Sequence, residues 1–189
     1  MSEKTPIFEK FTVRDIVFLA IMAAASMVTS AVMPLVIPLL TTVFGIAQLV
    51  TGLQVSLFMA IGLMRVRKVG SLFIVAVLGG LFALLMSPPM FWSFLCDGLL
   101  LEVFVALVFR GYRSEKIIFL AAMLYEPLTL PFNLLYNKLF GKEAMVAVAS
   151  RVPWMTAVMT LAVIAVSALG AWLGIKISKE LKKSGAMKK

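Results

Sequence analysis

The sequence of 189 residues contains no histidine, one cysteine and only 14% charged residues. Without histidine the chain cannot form a His-based zinc site, a Ser-His-Asp triad or a Cys-His dyad. The single cysteine, Cys96, excludes an internal disulfide, and we expect its side chain to be a small apolar member of the core. The phosphate-binding pattern G-x-x-x-x-G-K-[ST] is also absent. We therefore expect neither a metal nor a cofactor, and no ATP hydrolysis by this chain.

Apolar residues dominate what is present. They make up 62% of the chain, whereas soluble domains have about 45–50%. This composition predicts an all-α integral membrane protein, and the length suits a single transmembrane domain over residues 1–189. The net charge of +9 comes from short basic runs between apolar stretches, which is typical of membrane topology and not of nucleic-acid binding.

Charged residues and prolines divide the chain into six predicted helices. No charge lies between Asp15 and Arg65, and Pro34 and Pro38 break that stretch into two helices. The segment 138–151 is predicted to be a polar loop or a short helix. The six transmembrane helices are predicted at about 16–33, 42–64, 69–86, 91–109, 117–137 and 153–177.

The basic residues indicate an orientation. Fifteen of the 18 Lys and Arg residues fall on the side of the two termini, and only Lys138, Lys142 and Arg151 fall on the other. The positive-inside rule then places both termini in the cytoplasm and favours an even number of spans.

Three acidic residues are predicted to lie inside the membrane, where a carboxylate marks a candidate functional site. Glu102 and Glu126 are predicted near the midplane, and Asp97 nearer the outer surface. On an ideal helix Glu126, Asn133 and Asn137 fall within about 20° of one direction, which predicts a polar stripe open to the outside. Asp97 and Glu102 lie about 140° apart, so the two need not face one cavity.

Each of these residues has an alternative structural role. Glu102 or Glu126 could be protonated and bonded between helices, and Asp97 could face a water-filled mouth or cap a turn. Trp92 and Trp154, at the outer helix ends, could be interface anchors or could stack on a ligand.

Small residues form a second pattern. Helix 1 carries Ala20-x-x-x-Ala24, and the last helix carries Gly170-x-x-x-Gly174. Such steps allow close helix approach in lipid, either within the chain or against another membrane subunit.

The chain resembles the S components of energy-coupling factor (ECF) vitamin transporters in its six predicted spans and its two cytoplasmic termini. Its opening segment is also similar to theirs: Thr12-Val-Arg-Asp-Ile-Val-Phe-Leu-Ala-Ile-Met-Ala-Ala-Ala-Ser26. The resemblance implies a six-helix S-component bundle in the plasma membrane of a prokaryote, with a site in its outer half. It also implies two kinds of partner: a transmembrane coupling subunit that contacts Ala20 and Ala24, and two cytosolic ATPases.

Two segments look most like the hydroxymethylpyrimidine/thiamine (YkoE-like) members: the stretch from Asp97 to Glu102, which contains Gly-x-x-x-Glu, and Ser87-Pro-Pro-Met-Phe-Trp92. A carboxylate at Glu102 can pair with a protonated aminopyrimidine, and a tryptophan can stack on its ring.

The predicted function is therefore a substrate-binding subunit for uptake of a small water-soluble vitamin or precursor. An oligomeric proton-coupled transporter or channel, with Glu102 and Glu126 as a relay, is the alternative, although no inverted repeat is evident. An intramembrane enzyme would need a mechanism based on carboxylates alone, and no paired-carboxylate motif occurs. The predicted substrate-binding residues are Glu102, Glu126, Asn133, Asp97, Asn137, Trp92 and Trp154.

Overall fold

The computed structural model describes residues 9–35, 37–39, 42–84, 88–141 and 143–185. Every regular element in these ranges is helical, which confirms the predicted all-α class. The seven α-helices of the described ranges are α1 (Val13–Thr29), α2 (Ile46–Arg65), α3 (Ser71–Leu84), α4 (Pro88–Phe104), α5 (Glu115–Leu139), α6 (Glu143–Arg151) and α7 (Pro153–Lys183).

Irregular helical turns continue two of these helices. Two 3₁₀ segments, Ser30–Leu35 and Ile37–Leu39, follow α1, and a π-helical turn, Val105–Phe109, follows α4. The first predicted helix therefore ends as an α-helix at Thr29 and not at residue 33. The predicted end of the third helix at residue 86 lies outside the described residues, as do the adjoining residues 85 and 87.

Four helical segments of the described chain are long and apolar enough to cross a membrane. They are Ile46–Arg65, Phe91–Phe109, Glu115–Leu139 and Pro153–Lys183. The segment Ser71–Leu84 is apolar but shorter. The chain is thus a helical protein with at least four candidate membrane spans.

Helices α1, α2, α3, α4, α5 and α7 alternate in direction between two ends of one bundle. One end, called the basic end here, holds the start of α1, the α2–α3 connection, residues 110–114 and the end of α7. The opposite end, called the far end, holds the α1–α2 connection and α6. Helix α2 is central, because it contacts α1, α3, α5 and α7.

Helices α2 and α7 form the most extensive pair of the bundle. A Cβ atom at Gly170 would collide with the backbone carbonyl of Leu53, and one at Gly174 with that of Leu57. The Gly-x-x-x-Gly step therefore brings α7 against α2 of the same chain. Of the two roles that the sequence left open for this motif, it has the one within the chain and not the contact with another subunit.

Helix termini follow local sequence signals. Thr12 and Asp15 form a reciprocal capping box, which explains why α1 begins at Val13, three residues before the prediction. Ser114 caps α5 through the Ile117 amide. Pro153 occupies the first turn of α7, where its missing N–H costs nothing.

Ionic contacts join the elements at the basic end. Lys68 of the α2–α3 connection lies 2.8 Å from the Asp15 carboxylate, and its Nζ also donates to the carbonyl of Lys10. Burial by itself would raise the pKa of Asp15, but hydrogen bonds from Lys68 and Thr12 outweigh it and lower the pKa to about 2. The contact thus ties α1 to the α2–α3 connection.

Cys96 lies on the exposed face of α4, so its prediction as a core residue is wrong. Leu99, Leu100 and Val103 share this face and are about half exposed. A surface this apolar on a candidate membrane span is suited to contact with lipid.

Replacement of Gly170 by alanine should destabilise the bundle, because the added methyl meets the rigid backbone of Leu53. We expect a loss of about 1–3 kcal/mol in unfolding free energy, measured by thermal unfolding in detergent. Gly79→Ala is the control, since its methyl would meet the flexible end of Met27 at 3.3 Å and alanine favours the helix. Equal stability of the two variants would contradict the assigned α2–α7 contact.

Asp15→Asn should lower stability at neutral pH by about 1–2 kcal/mol, since it removes an ion pair and part of a helix cap. The pKa of Asp15 is lower in the folded chain than its ordinary 3.8, so its contribution is present above about pH 4 and lost as the pH falls to about 2. Unfolding at several pH values should show the two proteins converging in that window. A constant difference down to the acid end would exclude the ion pair as the cause.

Candidate functional site

All three predicted intramembrane carboxyl groups are buried in the bundle. Asp97 is 0% exposed, Glu126 4% and Glu102 6%. The two that share α4 face different neighbours, as their angular separation predicted, and the structure does not bring all three together. Two distinct environments result.

Glu102 caps the start of α3. Its Oε1 accepts a 2.7 Å hydrogen bond from the amide of Gly70, and its Oε2 accepts from the amides of Leu72 at 3.0 Å and Phe73 at 3.1 Å. The hydroxyl of Tyr112 donates to the same Oε2 at 3.1 Å. The carboxylate therefore satisfies free N–H groups of a helix N-terminus, where negative charge is favoured.

This environment corrects the predicted depth of Glu102. The sequence placed it near the midplane, whereas its partners are Gly70 just before α3, the first turn of α3 and Tyr112 before α5, all at the basic end. Burial and the neighbouring Glu102 raise the pKa of Tyr112 well above its usual value, so the phenol stays a donor. With four donors around it, the carboxylate of Glu102 has the structural role that the sequence left open, since it is hydrogen-bonded between helices. It has little capacity left to accept hydrogen bonds from a ligand.

Asp97 lies in a very different environment. Both of its carboxyl oxygens are buried without a hydrogen-bond partner among the described residues. The next residue, Gly98, packs so closely on Ala76 that a Cβ atom would collide there, which brings α4 against α3. A buried carboxyl group without partners is costly, so its presence indicates a role other than stability.

Two neighbouring residues of α5 share this environment. Tyr125 is 1% exposed and its hydroxyl also lacks a partner among the residues described, while its ring packs edge-on against Phe94. The Oε1 atom of Glu126 accepts a 3.4 Å hydrogen bond from the Thr51 hydroxyl of α2. Phe94 precedes Asp97 by three residues on α4, so its ring contact with Tyr125 brings the Asp97 region of α4 against α5. Asp97, Thr51, Tyr125 and Glu126 are called the Asp97 cluster below.

No basic side chain of the described ranges forms an ion pair with the Asp97 cluster. None of the ion pairs Lys68–Asp15, Lys179–Glu115 and Lys183–Glu180 includes a member of the cluster, and the Asp97 oxygens have no partner among the described residues. The described residues also contain no group of three or more acidic, Cys or His side chains that could hold a metal ion. The cluster can therefore accept a proton, a hydrogen-bond donor or a positively charged group.

The remaining predicted binding residues lie away from this cluster. Asn137 donates to both the carbonyl and the side-chain oxygen of Asn133, so the two amides pair with each other on α5. Trp92 is 56% exposed and Trp154 70%. Such exposure at the far end favours the interface-anchor alternative for both tryptophans.

A cavity of about 210 Å³ opens at the far end. It lies between the α1–α2 connection and the α6–α7 junction, with Phe44, Arg151 and Met155 among its lining residues. A second, much smaller cavity of about 10 Å³ lies beside Tyr125 and Ser26. In the sequence, Arg151 served only to indicate membrane orientation, and no sequence pattern predicted this cavity.

Exchange of the two α4 carboxyl groups for amides should separate their roles. Glu102→Gln should lower unfolding free energy by about 2 kcal/mol or more, because an amide cannot accept from all four donors. Asp97→Asn should leave stability unchanged or higher, since no hydrogen bond is lost. Thermal unfolding of both purified variants is the measurement. A destabilised Asp97→Asn beside an unchanged Glu102→Gln would reverse the assignment.

Comparison of the chain with protein-family models, with curated proteins and with solved structures finds no match. The residues of the Asp97 cluster and their surroundings are therefore the basis on which a function is assigned.

Proposed function

We propose that the chain is the substrate-binding membrane subunit, or S component, of an ECF-type importer for a small water-soluble vitamin or precursor. The observation that carries this proposal is the Asp97 cluster, in which the buried oxygens of Asp97 and Tyr125 lack hydrogen-bond partners among the described residues. Polar groups retained at such cost inside a membrane protein typically bind what it transports. The chain itself has no nucleotide-binding loop, which fits a subunit energised by separate ATPases.

In this proposal six helices span the plasma membrane of a prokaryote, with the basic end in the cytoplasm. Four of them meet the length and hydropathy of a span, and α1 and α3 are the remaining two. The distribution of Lys and Arg between the two ends supports this orientation. The far-end cavity then faces outwards and provides the entrance for the solute.

The best candidates for the solute are thiamine and its pyrimidine precursor. A protonated aminopyrimidine offers N–H donors that match carboxylate acceptors. Glu102 was the predicted partner of this ring, but its oxygens are occupied, so the role passes to Asp97 and Glu126. Asn133 and Asn137 lie about two and three turns beyond Glu126 along α5, towards the entrance, and would meet the solute on its way in.

Helix α1 offers the surface for the coupling subunit. Ala20 and Ala24 lie on the same side as Val17 and Ile21, which are 51% and 54% exposed. Two small residues on an exposed apolar flank allow a second helix to approach closely. The two cytosolic ATPases would be engaged through that subunit.

The first test is solute binding to the purified chain. Thiamine or hydroxymethylpyrimidine should raise its unfolding temperature, and Asp97→Asn or Glu126→Gln should weaken affinity at least tenfold, or about 1.4 kcal/mol. Glu180→Gln, at an exposed surface pair, is the matched control. If both cluster variants bind as tightly as the wild type, this site assignment fails.

The second test concerns the partners. Gentle purification from the native membrane followed by mass spectrometry should identify a transmembrane subunit and two ATPases. Ala20→Leu and Ala24→Leu should reduce their recovery while leaving solute binding intact, because the added bulk prevents close helix approach. Full recovery with both variants would exclude this face of α1 as the contact.

A proton-coupled secondary transporter is the second candidate. The specific observation in its favour is that Asp97 and Glu126 are buried on the packed helices α4 and α5 without a basic partner in the described part of the chain. Such carboxyl pairs are suited to carry protons through a membrane. Solute uptake by proteoliposomes that contain this chain alone, driven by a pH gradient without ATP, would establish it in place of the S component.

A further inference from the structure

The Asp97 cluster presents a problem of charge. Two buried carboxyl groups, Asp97 on α4 and Glu126 on α5, lie close to the Phe94–Tyr125 ring contact that joins these two helices. Two negative charges in a medium of low dielectric repel strongly and lose their hydration. Something must therefore neutralise at least one of them in the empty protein.

The helices packed around the cluster supply no positive charge for this purpose. Helix α3, which packs on α4, contains no ionisable residue, and α2 contains none before Arg65. Helix α7, which packs on α5, contains none before Lys176. On α4 itself the remaining groups are exposed Cys96 and Glu102, which is fully engaged with α3. The other charged groups of α5 lie in its first and last turns: Glu115, Lys116 and Lys138. The polar neighbours named above are thus the phenol of Tyr125 and the hydroxyl of Thr51, both uncharged.

A proton is the neutralising group that fits this space. The nearby cavity at Tyr125 measures about 10 Å³, roughly the space of a single water molecule. It is too small for an organic cation in the empty form. A protonated carboxyl group needs no added volume and leaves no uncompensated charge in the apolar interior.

We propose that the Asp97 cluster holds a proton in the empty protein and releases it when the positively charged group of a solute binds at Asp97 and Glu126. The inference rests on the proposed function for the entry of that solute. It adds the class of solute, a monovalent organic cation, and the exchange partner, one proton. Charge is balanced in the step, since one positive charge leaves the interior as another enters.

Infrared spectroscopy of the purified full chain tests the resting state. The C=O stretch of a protonated carboxylic acid is separate from that of a carboxylate. At neutral pH the wild type should show this band, and Asp97→Asn or Glu126→Gln should remove it, while Glu180→Gln should leave it unchanged. Thr51→Val, which removes the contact to Glu126, should shift the band without abolishing it. Identical spectra for the wild type and both cluster variants would overturn the proposal.

Addition of cations tests the exchange. Thiamine and choline are the probes, and 3,3-dimethylbutan-1-ol is the uncharged counterpart of choline. A bound cation should abolish the band and release about one proton to a pH indicator, and its affinity should fall about tenfold for each pH unit of acidification across the range in which the site is protonated. The uncharged alcohol should neither abolish the band nor release a proton. A band that persists with both cations at millimolar concentration would overturn the exchange.

The outcomes for this inference and for the proposed function are separable. A neutral vitamin that binds tightly while the acid band persists would leave the S component standing and overturn the exchange. Proton release on cation binding by a chain that never associates with a coupling subunit or ATPases would support the exchange and overturn the S component.

Discussion

The close approach of α2 and α7 is the contact on which the rest of the bundle depends. Gly170 and Gly174 let the two helices meet backbone to backbone over Leu53 and Leu57, without intervening side chains. In lipid, where apolar side chains gain little by leaving the solvent, this kind of van der Waals contact is a main source of helix association. Helix α5 packs against both members of the pair, which places Glu126 opposite Thr51.

The bundle buries carboxyl groups in two opposite ways. Glu102 is surrounded by three backbone amides and a phenol, so its charge is matched and it fixes the position of α3. Asp97, only five residues earlier on the same helix, has no such donors in the described part of the chain. Satisfied groups of the first kind contribute to folding, whereas unsatisfied groups of the second kind persist where function requires them. The contrast separates a structural acid from a candidate binding acid without reference to related proteins.

The sequence predicts the helices well and the partners of the polar residues poorly. Hydropathy, prolines and caps locate both ends of α5 to within two residues and the start of α7 at Pro153, because these signals are local, whereas α7 ends six residues after the prediction. The role of Glu102 depends on where the first turn of α3 lies in space, which no pattern within α4 encodes. Likewise, the exposure of Cys96 follows from the rotation of α4, which Gly98 sets through its contact with Ala76. The helical positions of Asp97 and Glu102 showed that they face different directions on α4. They did not show which of the two lies nearer to Glu126 of α5.

Helices α3 and α4 are joined at two separate points along their length. Glu102 holds the first turn of α3, and Gly98 lies against Ala76 one turn farther along. Contacts at two points along their length oppose both sliding and rotation, so we expect α3 and α4 to move as one body. Asp97 belongs to this body, whereas Tyr125 and Glu126 belong to α5. A motion that opens the interior to a solute would therefore separate Asp97 from Glu126. The boundary between α4 and α5 is where the bundle would open.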